Sequence, residues 1–263
     1  GQNTQDIKQL SNNNTLNLNQ DGDDLSATVV QKTGNNNRAD LSQHNQGPSF
    51  APVTSTIKQI GARNRAVTRA SRKNPVSSTT LQRQRGNRNR AFINQDAGSN
   101  PTANEGTALS QVQRGNRNLA RMSGSDSYTA DQHQDGRSNV AKTSGNGKNA
   151  DVAQKQIGNN NRAEAYGSLS FADVDQLQRG NRNRSFLRDL DHDGSGESYE
   201  TTQRGNNNLA ELEANGNGGK LTIIQRQNDN TARVDWNTAG NTIEIRQDGN
   251  DNLVNVSSGI FTP

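Results

Sequence analysis

One octapeptide pattern, Gln-x-Gly-x-x-Asn-x-Ala, returns along the chain at nearly constant spacing. Any fold must therefore give each copy an equivalent environment. Clean copies begin at Gln59, Gln84, Gln113, Gln134, Gln156 and Gln203. Looser copies begin at Gln9, Gln31, Gln178, Gln225 and Gln247, that at Gln31 carrying one extra residue. Successive first glutamines stand 22, 28, 25, 29, 21, 22, 22, 25, 22 and 22 residues apart, so 22 is the base period and the excess is insertion.

Period two dominates on both sides of the pattern. Before the first Gln, positions two and four back are apolar in Val29 and Ala27, Ile223 and Leu221, and Ile245 and Ile243, with Gln111 and Leu109 a mixed case. After the motif Asn, positions two and four on are apolar in Leu16 and Leu18, Ala39 and Leu41, Ala91 and Ile93, Ala120 and Met122, Ala210 and Leu212, and Val254 and Val256. Such alternation marks strands with one buried face. Between them lies an arc in which Gly takes a backbone conformation other residues resist and Asn tolerates left-handed geometry. The arc glycines are Gly34, Gly61, Gly86, Gly115, Gly136, Gly158, Gly180, Gly205 and Gly249.

Only 27% of the 263 residues are hydrophobic and 3% aromatic, whereas Asn supplies 39 residues and Gln 23. A two-stranded unit this poor in apolar side chains cannot offset its own chain entropy, so the copies must stack, each strand pairing with its counterpart in the next copy. The expected fold is all-β: one parallel, in-register β-solenoid over residues 1–263, with two facing sheets across a narrow interior of small aliphatics. Eleven rungs at about 4.7–4.8 Å give a rod about 50 Å long. Register makes Gln9, Gln31, Gln59, Gln84, Gln113, Gln134, Gln156, Gln178, Gln203, Gln225 and Gln247 one amide ladder. Asn14, Asn37, Asn64, Asn89, Asn118, Asn139, Asn161, Asn183, Asn208, Asn230 and Asn252 make another. Pro48, Pro52, Pro75, Pro101 and Pro263 fall outside the expected strands. Insertions are expected almost entirely after the second strand, near 44–52, 70–77, 96–104, 189–197 and 214–219, so one edge of the rod is uniform and the other decorated.

The spacing Gln-x-Gly-x-x-Asn-x-Ala-x-x-x-Gln resembles the curlin repeat of curli, the functional amyloid fibres of Gram-negative biofilms. The full form with its second Gln runs from Gln84 to Gln95, with looser versions from Gln9 to Gln20, Gln20 to Gln31 and Gln31 to Gln43. The family's Ser six residues before the first Gln survives only at Ser78. After the fourth copy the second Gln gives way to residues such as Gly124, Gly145, Asp189 and Trp236, which weakens the second edge. The resemblance implies a secreted structural subunit at the bacterial cell surface, exported unfolded by curli-type machinery, with itself as main partner and roles in adhesion and biofilm matrix. A minor or nucleating subunit, or a monomeric solenoid that binds anionic polymers, is the alternative. Exposed strand edges at both ends would template addition of further copies, and such head-to-tail contact propagates a filament.

Smaller features point to ligands. Asp189, Asp191, Asp193, Gly194, Ser195, Glu197 and Glu200 follow the twelve-residue Ca²⁺ loop pattern, with hard oxygen donors at alternating positions. Strand flanks in place of helices make it a candidate loop graft, with a solvated acidic insertion as the other reading. No cofactor is otherwise required. Arg63, Arg65, Arg85, Arg88, Arg90, Arg114, Arg117, Arg179, Arg182, Arg184 and Arg204 sit in or beside the arcs, so stacking sets them along one edge. That stripe either holds anionic polysaccharide or extracellular DNA, or serves solubility. The net charge of +4 permits either. Catalysis has no support: His44, His133 and His192 lie in different copies and no nucleophile or phosphate-cradling motif occurs. Cysteine is absent, which excludes disulfides and thiolate sites, and no apolar run reaches the length of a membrane span.

Overall fold

Period-two side chains need strands, and in the computed structural model of the chain every repeat supplies two. The structure describes residues 3–22, 24–45, 52–72, 77–96, 107–124, 128–145, 150–167, 172–187, 197–214, 219–236 and 242–258. Rung 1 is β1 (Thr4–Gln9) with β2 (Thr15–Asp21), rung 2 is β3 (Leu25–Lys32) with β4 (Arg38–Asn45), and rung 3 is β5 (Val53–Ile60) with β6 (Arg65–Arg72). Then come β7 (Ser78–Asn87) and β8 (Arg90–Asp96), β9 (Thr107–Asn116) and β10 (Leu119–Gly124), and β11 (Tyr128–Arg137) and β12 (Val140–Thr143). Rungs 7 to 9 are β13 (Ala150–Asn159) and β14 (Arg162–Ala165), β15 (Ala172–Asn181) and β16 (Arg184–Leu187), and β17 (Glu197–Asn206) and β18 (Leu209–Ala214). The last two are β19 (Gly219–Arg226) with β20 (Thr231–Trp236), and β21 (Thr242–Asp248) with β22 (Leu253–Ser258).

All odd strands form one eleven-stranded sheet in sequence order and all even strands another. Every pairing is parallel and in register, Gln on Gln and Ala on Ala, as in Gln31↔Gln59 and Ala39↔Ala66. Among the described residues there is no helix. The chain is therefore a two-sheet β-solenoid. Of the prolines, Pro52 lies just before β5 and its carbonyl accepts the Ser78 N–H at 3.1 Å; Pro48, Pro75, Pro101 and Pro263 lie outside the described residues. Strands intrude on the expected insertions: Ala70, Asp96, Glu197 and Ala214 all belong to them.

Alternation decides what is buried. Ala27 and Val29 face inward from β3 against Ala39 and Leu41 of β4, Leu25 clusters instead with Val53 and Ala70, and Leu221 and Ile223 pack with Ala232 and Val234. The apolar interior is not one column, however. A small cluster around Val29, Leu41 and Ile57 serves rungs 1 to 3, and a larger one begins at Ile93 and runs to Ile245.

The arcs are tighter than the motif suggests. In rungs 4 to 9 ladder pairing continues through the glycine, as in Gly136↔Gly158 and Arg137↔Asn159. The bend thus lies within the strand, at glycines with φ between 96° and 124° in these rungs. Left-handed geometry does not fall on the motif Asn, as expected, but on the residue before it: Arg63, Arg88, Arg117, Ser138, Asn160, Arg182, Asn207, Asp229 and Asp251 all have φ of 57–60°. The motif Asn keeps ordinary φ because its side chain serves the backbone of neighbouring rungs.

A Cβ built on Gly136 overlaps the carbonyl oxygen of Gly158 in the rung above, and φ at this glycine is 124°. Gly136→Ala is therefore expected to destabilise the chain by roughly 2 kcal/mol or more. Ser138→Asn, at a left-handed position that Asn tolerates, should leave the melting temperature unchanged or slightly raised. Thermal unfolding of the two variants, compared by circular dichroism, checks both.

Candidate functional site

The site of interest is distributed along the rod, because the motif side chains act by repetition. The first-Gln column is continuous over all eleven rungs: each Nε2 donates to the Oε1 of the next, from Gln9 to Gln31 through Gln225 to Gln247, at 2.8–2.9 Å. The second Nε2 hydrogen crosses to the opposite sheet one rung below, as from Gln84 to the Arg65 carbonyl at 2.9 Å and from Gln203 to the Arg184 carbonyl at 2.8 Å. Each glutamine therefore joins three strands. These side chains are almost fully buried from Gln31 to Gln247.

The motif asparagines work differently from the simple amide ladder expected of them. Each Oδ1 accepts the backbone N–H of the Asn one rung up, as from Asn118 to Asn89 at 3.0 Å and from Asn139 to Asn118 at 3.0 Å. Each Nδ2 in rungs 3 to 8 reaches an arc glycine carbonyl in the next rung, such as Asn161 to Gly180 at 2.8 Å. The shorter side chain, set beside the bend, meets backbone before it meets another amide. Side-chain contact between successive motif Asn occurs at Asn64 on Asn37 and again at Asn208, Asn230 and Asn252.

Two further columns escape the motif reading. Gln82, Gln111, Gln132, Gln154 and Gln176 stand two residues before the first Gln in five successive rungs, 0–1% exposed, linked Nε2 to Oε1 at 2.7–3.1 Å. Here the expectation of a small-aliphatic interior fails, because amides that find partners above, below and on the facing strand lose nothing by burial. The signal was present as five consecutive Gln-x-Gln triplets. The second column is on the surface: Oδ1 of Asn87, Asn116, Asn159, Asn181, Asn206, Asn228 and Asn250 accepts a backbone N–H from the rung below. The inner Asn column accepts from the rung above, so the arcs are held from both directions.

The second-edge glutamines make a broken ladder. Gln43 Nε2 donates to Gln20 Oε1 at 2.8 Å, and Ser78 Oγ donates to Gln95 Oε1, but Ala70 lies in register between Gln43 and Gln95. In consequence Gln43 Oε1 and Gln95 Nε2 are buried without partners among the described residues.

Electrostatics separate the rod's surfaces. Asp151 and Asp175 on the outside of the odd sheet titrate above the usual carboxylate range, chiefly through burial and then through repulsion by Asp173 with Asp131 or Glu200. On the outside of the even sheet Glu164 is 2.9 Å from Lys142 Nζ; burial alone would raise its pKa, but hydrogen bonds from Arg162 and Lys142 outweigh that and hold it low. The arginines behave as the stacking argument expects. Arg63, Arg65, Arg85, Arg88, Arg90, Arg114 and Arg117 lie in or beside the arcs of rungs 3 to 5, and Arg179, Arg182, Arg184 and Arg204 beside those of rungs 8 and 9. Of the Ca²⁺ loop residues, Asp189, Asp191, Asp193 and Ser195 lie outside the described residues. Glu197 faces the interior and accepts the Tyr199 hydroxyl at 3.1 Å, whereas Glu200 projects from the opposite face of β17. Among the described residues no group of three or more His, Asp or Glu is arranged to hold a metal ion, and no helix is long and apolar enough to cross a membrane.

A family model described as the curlin associated repeat matches residues 12–44. That window holds Asn14, Gln20, Gln31, Gly34, Asn37 and Gln43, the same positions that carry the ladders through rungs 1 and 2. Rungs 1 and 2 thus carry a curlin associated repeat. No curated protein matches the chain. Curlin-type spacing therefore recurs here over eleven stacked rungs, nine of them beyond the matched segment.

Ala70→Gln tests the cost of the broken ladder. Rung 2 buries Gln43 at the register position of Ala70, and Val53, which clusters with Ala70, is smaller than its rung-2 counterpart Leu25. Satisfying two orphaned amide atoms should raise stability by roughly 1–3 kcal/mol. A chemical denaturation midpoint that stays put or falls would show that the two amides are not starved of partners.

Proposed function

We propose that this curlin-repeat chain is the structural subunit of an extracellular, curli-type fibre that grows by stacking the last rung of one copy on the first rung of the next, and that the fibre serves adhesion and matrix formation. The observation that carries this reading is the matched polarity of the two terminal rungs. At rung 1, Gln9 spends its Nε2 on Gln31 and leaves Oε1 as an acceptor; the Asn14 N–H, which in higher rungs donates to the Asn below, has no rung beneath it among the described residues. At rung 11, Gln247 keeps the usual cross-sheet bond from Nε2 to the Thr231 carbonyl one rung below, and the hydrogen that elsewhere joins the next glutamine turns onto the Asn252 carbonyl. Asn252 accepts nothing at Oδ1 among the described residues. Donor thus meets acceptor in both columns when copies stack.

Apolar surfaces match as well. Ile7 is 43% exposed, and in register it would cover Ile245; Leu16 and Leu18 would cover Val254 and Val256, which are only partly buried. The curlin match supports the same reading, together with secretion and a cell-surface location.

Electron microscopy and fibre diffraction of protein refolded from denaturant test the proposal. Thin unbranched filaments with a meridional repeat near 4.7–4.8 Å are expected. Ile7→Lys should change the stability of a dispersed chain by under about 1 kcal/mol, because the site is already exposed. In a filament the same lysine would be an unpaired charge in a dry interior, so assembly should be suppressed. Filaments that form equally well from Ile7→Lys, or dispersed short particles from the unmodified chain, would overturn the stacking.

A further inference from the structure

The uniform edge of the rod carries a groove that the ladders do not require. It runs across the arcs of rungs 2 to 6, lined by Arg63, Arg88, Arg117, Arg137, Asn87 and Asn116 among others, with no acidic residue in its lining. Arg63, Arg88 and Arg117 occupy the same arc position in three consecutive rungs, so their spacing is one rung, about 4.8 Å. None of the three forms an ion pair among the described residues. Their backbones have φ of 57°, 59° and 60°.

That conformation makes arginine a costly choice. The left-handed region disfavours side chains in general and is best tolerated by Asn and Asp. The same arc position holds Asn36, Asn160, Asn207, Asp229 and Asp251 in other rungs. The backbone therefore gains nothing from arginine in rungs 3, 4 and 5, and stacking like charges one rung apart adds repulsion. The amides beside them point the same way. Asn87 and Asn116 spend Oδ1 on backbone N–H groups of the rung below, while their Nδ2 atoms donate to nothing among the described residues. The groove thus presents donors and positive charge.

We propose that this groove binds a linear acidic polysaccharide, its carboxylates taken in turn by Arg63, Arg88 and Arg117 and its hydroxyls and carboxylates by the Asn87 and Asn116 amides. The planar guanidinium fork suits bidentate recognition of a carboxylate. A nucleic acid fits less well. No aromatic side chain lines the groove to stack a base. The inference does not rest on fibre formation, because the groove lies within one copy.

The test compares the full chain with the triple variant Arg63→Asn, Arg88→Asn and Arg117→Asn, which installs the residue already used at this position elsewhere. Lys58→Asn, Lys155→Asn and Lys220→Asn together form a control that removes the same charge from the outer face of the odd sheet. Labelled oligogalacturonate, duplex DNA and single-stranded DNA are titrated into each at physiological salt and followed by fluorescence anisotropy. The expected result is oligogalacturonate binding that falls at least roughly tenfold in the arginine variant, far less in the control, with DNA binding weaker than oligogalacturonate binding. The melting temperature of the arginine variant should be unchanged or higher, which separates lost binding from lost folding. Absent oligogalacturonate binding, equal binding by the arginine variant, or DNA binding at least as tight as that of oligogalacturonate overturns the proposal.

Discussion

A primary amide in a dry interior must satisfy two donors and an acceptor, and in this molecule only an equivalent rung above and below can do so. Gln134 illustrates the constraint: Gln113 donates to its Oε1, its Nε2 donates to Gln156, and the remaining hydrogen goes to the Leu119 carbonyl. Removing any neighbour strands a buried polar atom at a cost of about 1–3 kcal/mol. Register is thereby enforced more strictly than small aliphatic side chains could enforce it. A one-residue slip would turn every ladder glutamine toward solvent.

This explains how a chain so short of apolar residues keeps a fixed interior. One aliphatic cluster excludes water from rungs 1 to 3 and a larger one from rungs 4 to 11, and in rungs 4 to 8 a second amide column takes one of the inward positions. The backbone at the bends depends on the same repetition, since the inner Asn column accepts from one direction and the outer column from the other. Curlin-type spacing is then a prescription for mutual satisfaction between stacked copies along the chain.

Surface chemistry varies more freely, because an outward side chain answers only to its immediate neighbours. Asp131, Asp151 and Asp173 are neighbours on the odd sheet of rungs 6 to 8, Arg65 and Arg121 lie over Phe92 at 5.4 and 5.7 Å on the even sheet, and Arg63, Arg88 and Arg117, without ion pairs among the described residues, occupy the arc edge of rungs 3 to 5. The three surfaces share one scaffold yet carry different side-chain chemistry.

Sequence alone determined the period, the two strands per period and the inward columns. Strand alternation and a fixed Gln-to-Asn spacing leave few other ways to bury Val29, Leu41 or Ile223. It also placed the arginines on one edge, since residues at equivalent repeat positions must align when rungs stack. Which atoms pair was decided only by the tertiary structure. Whether the Asn118 Oδ1 meets another amide or the backbone, whether Gln111 lies inside or out, and whether Ala70 leaves one amide atom each of Gln43 and Gln95 without a partner depend on groups 19–29 residues away along the chain. Those groups come within reach only after the rungs have closed on one another, and hydrogen-bond geometry, unlike hydrophobic period, has no local signature from which it can be read.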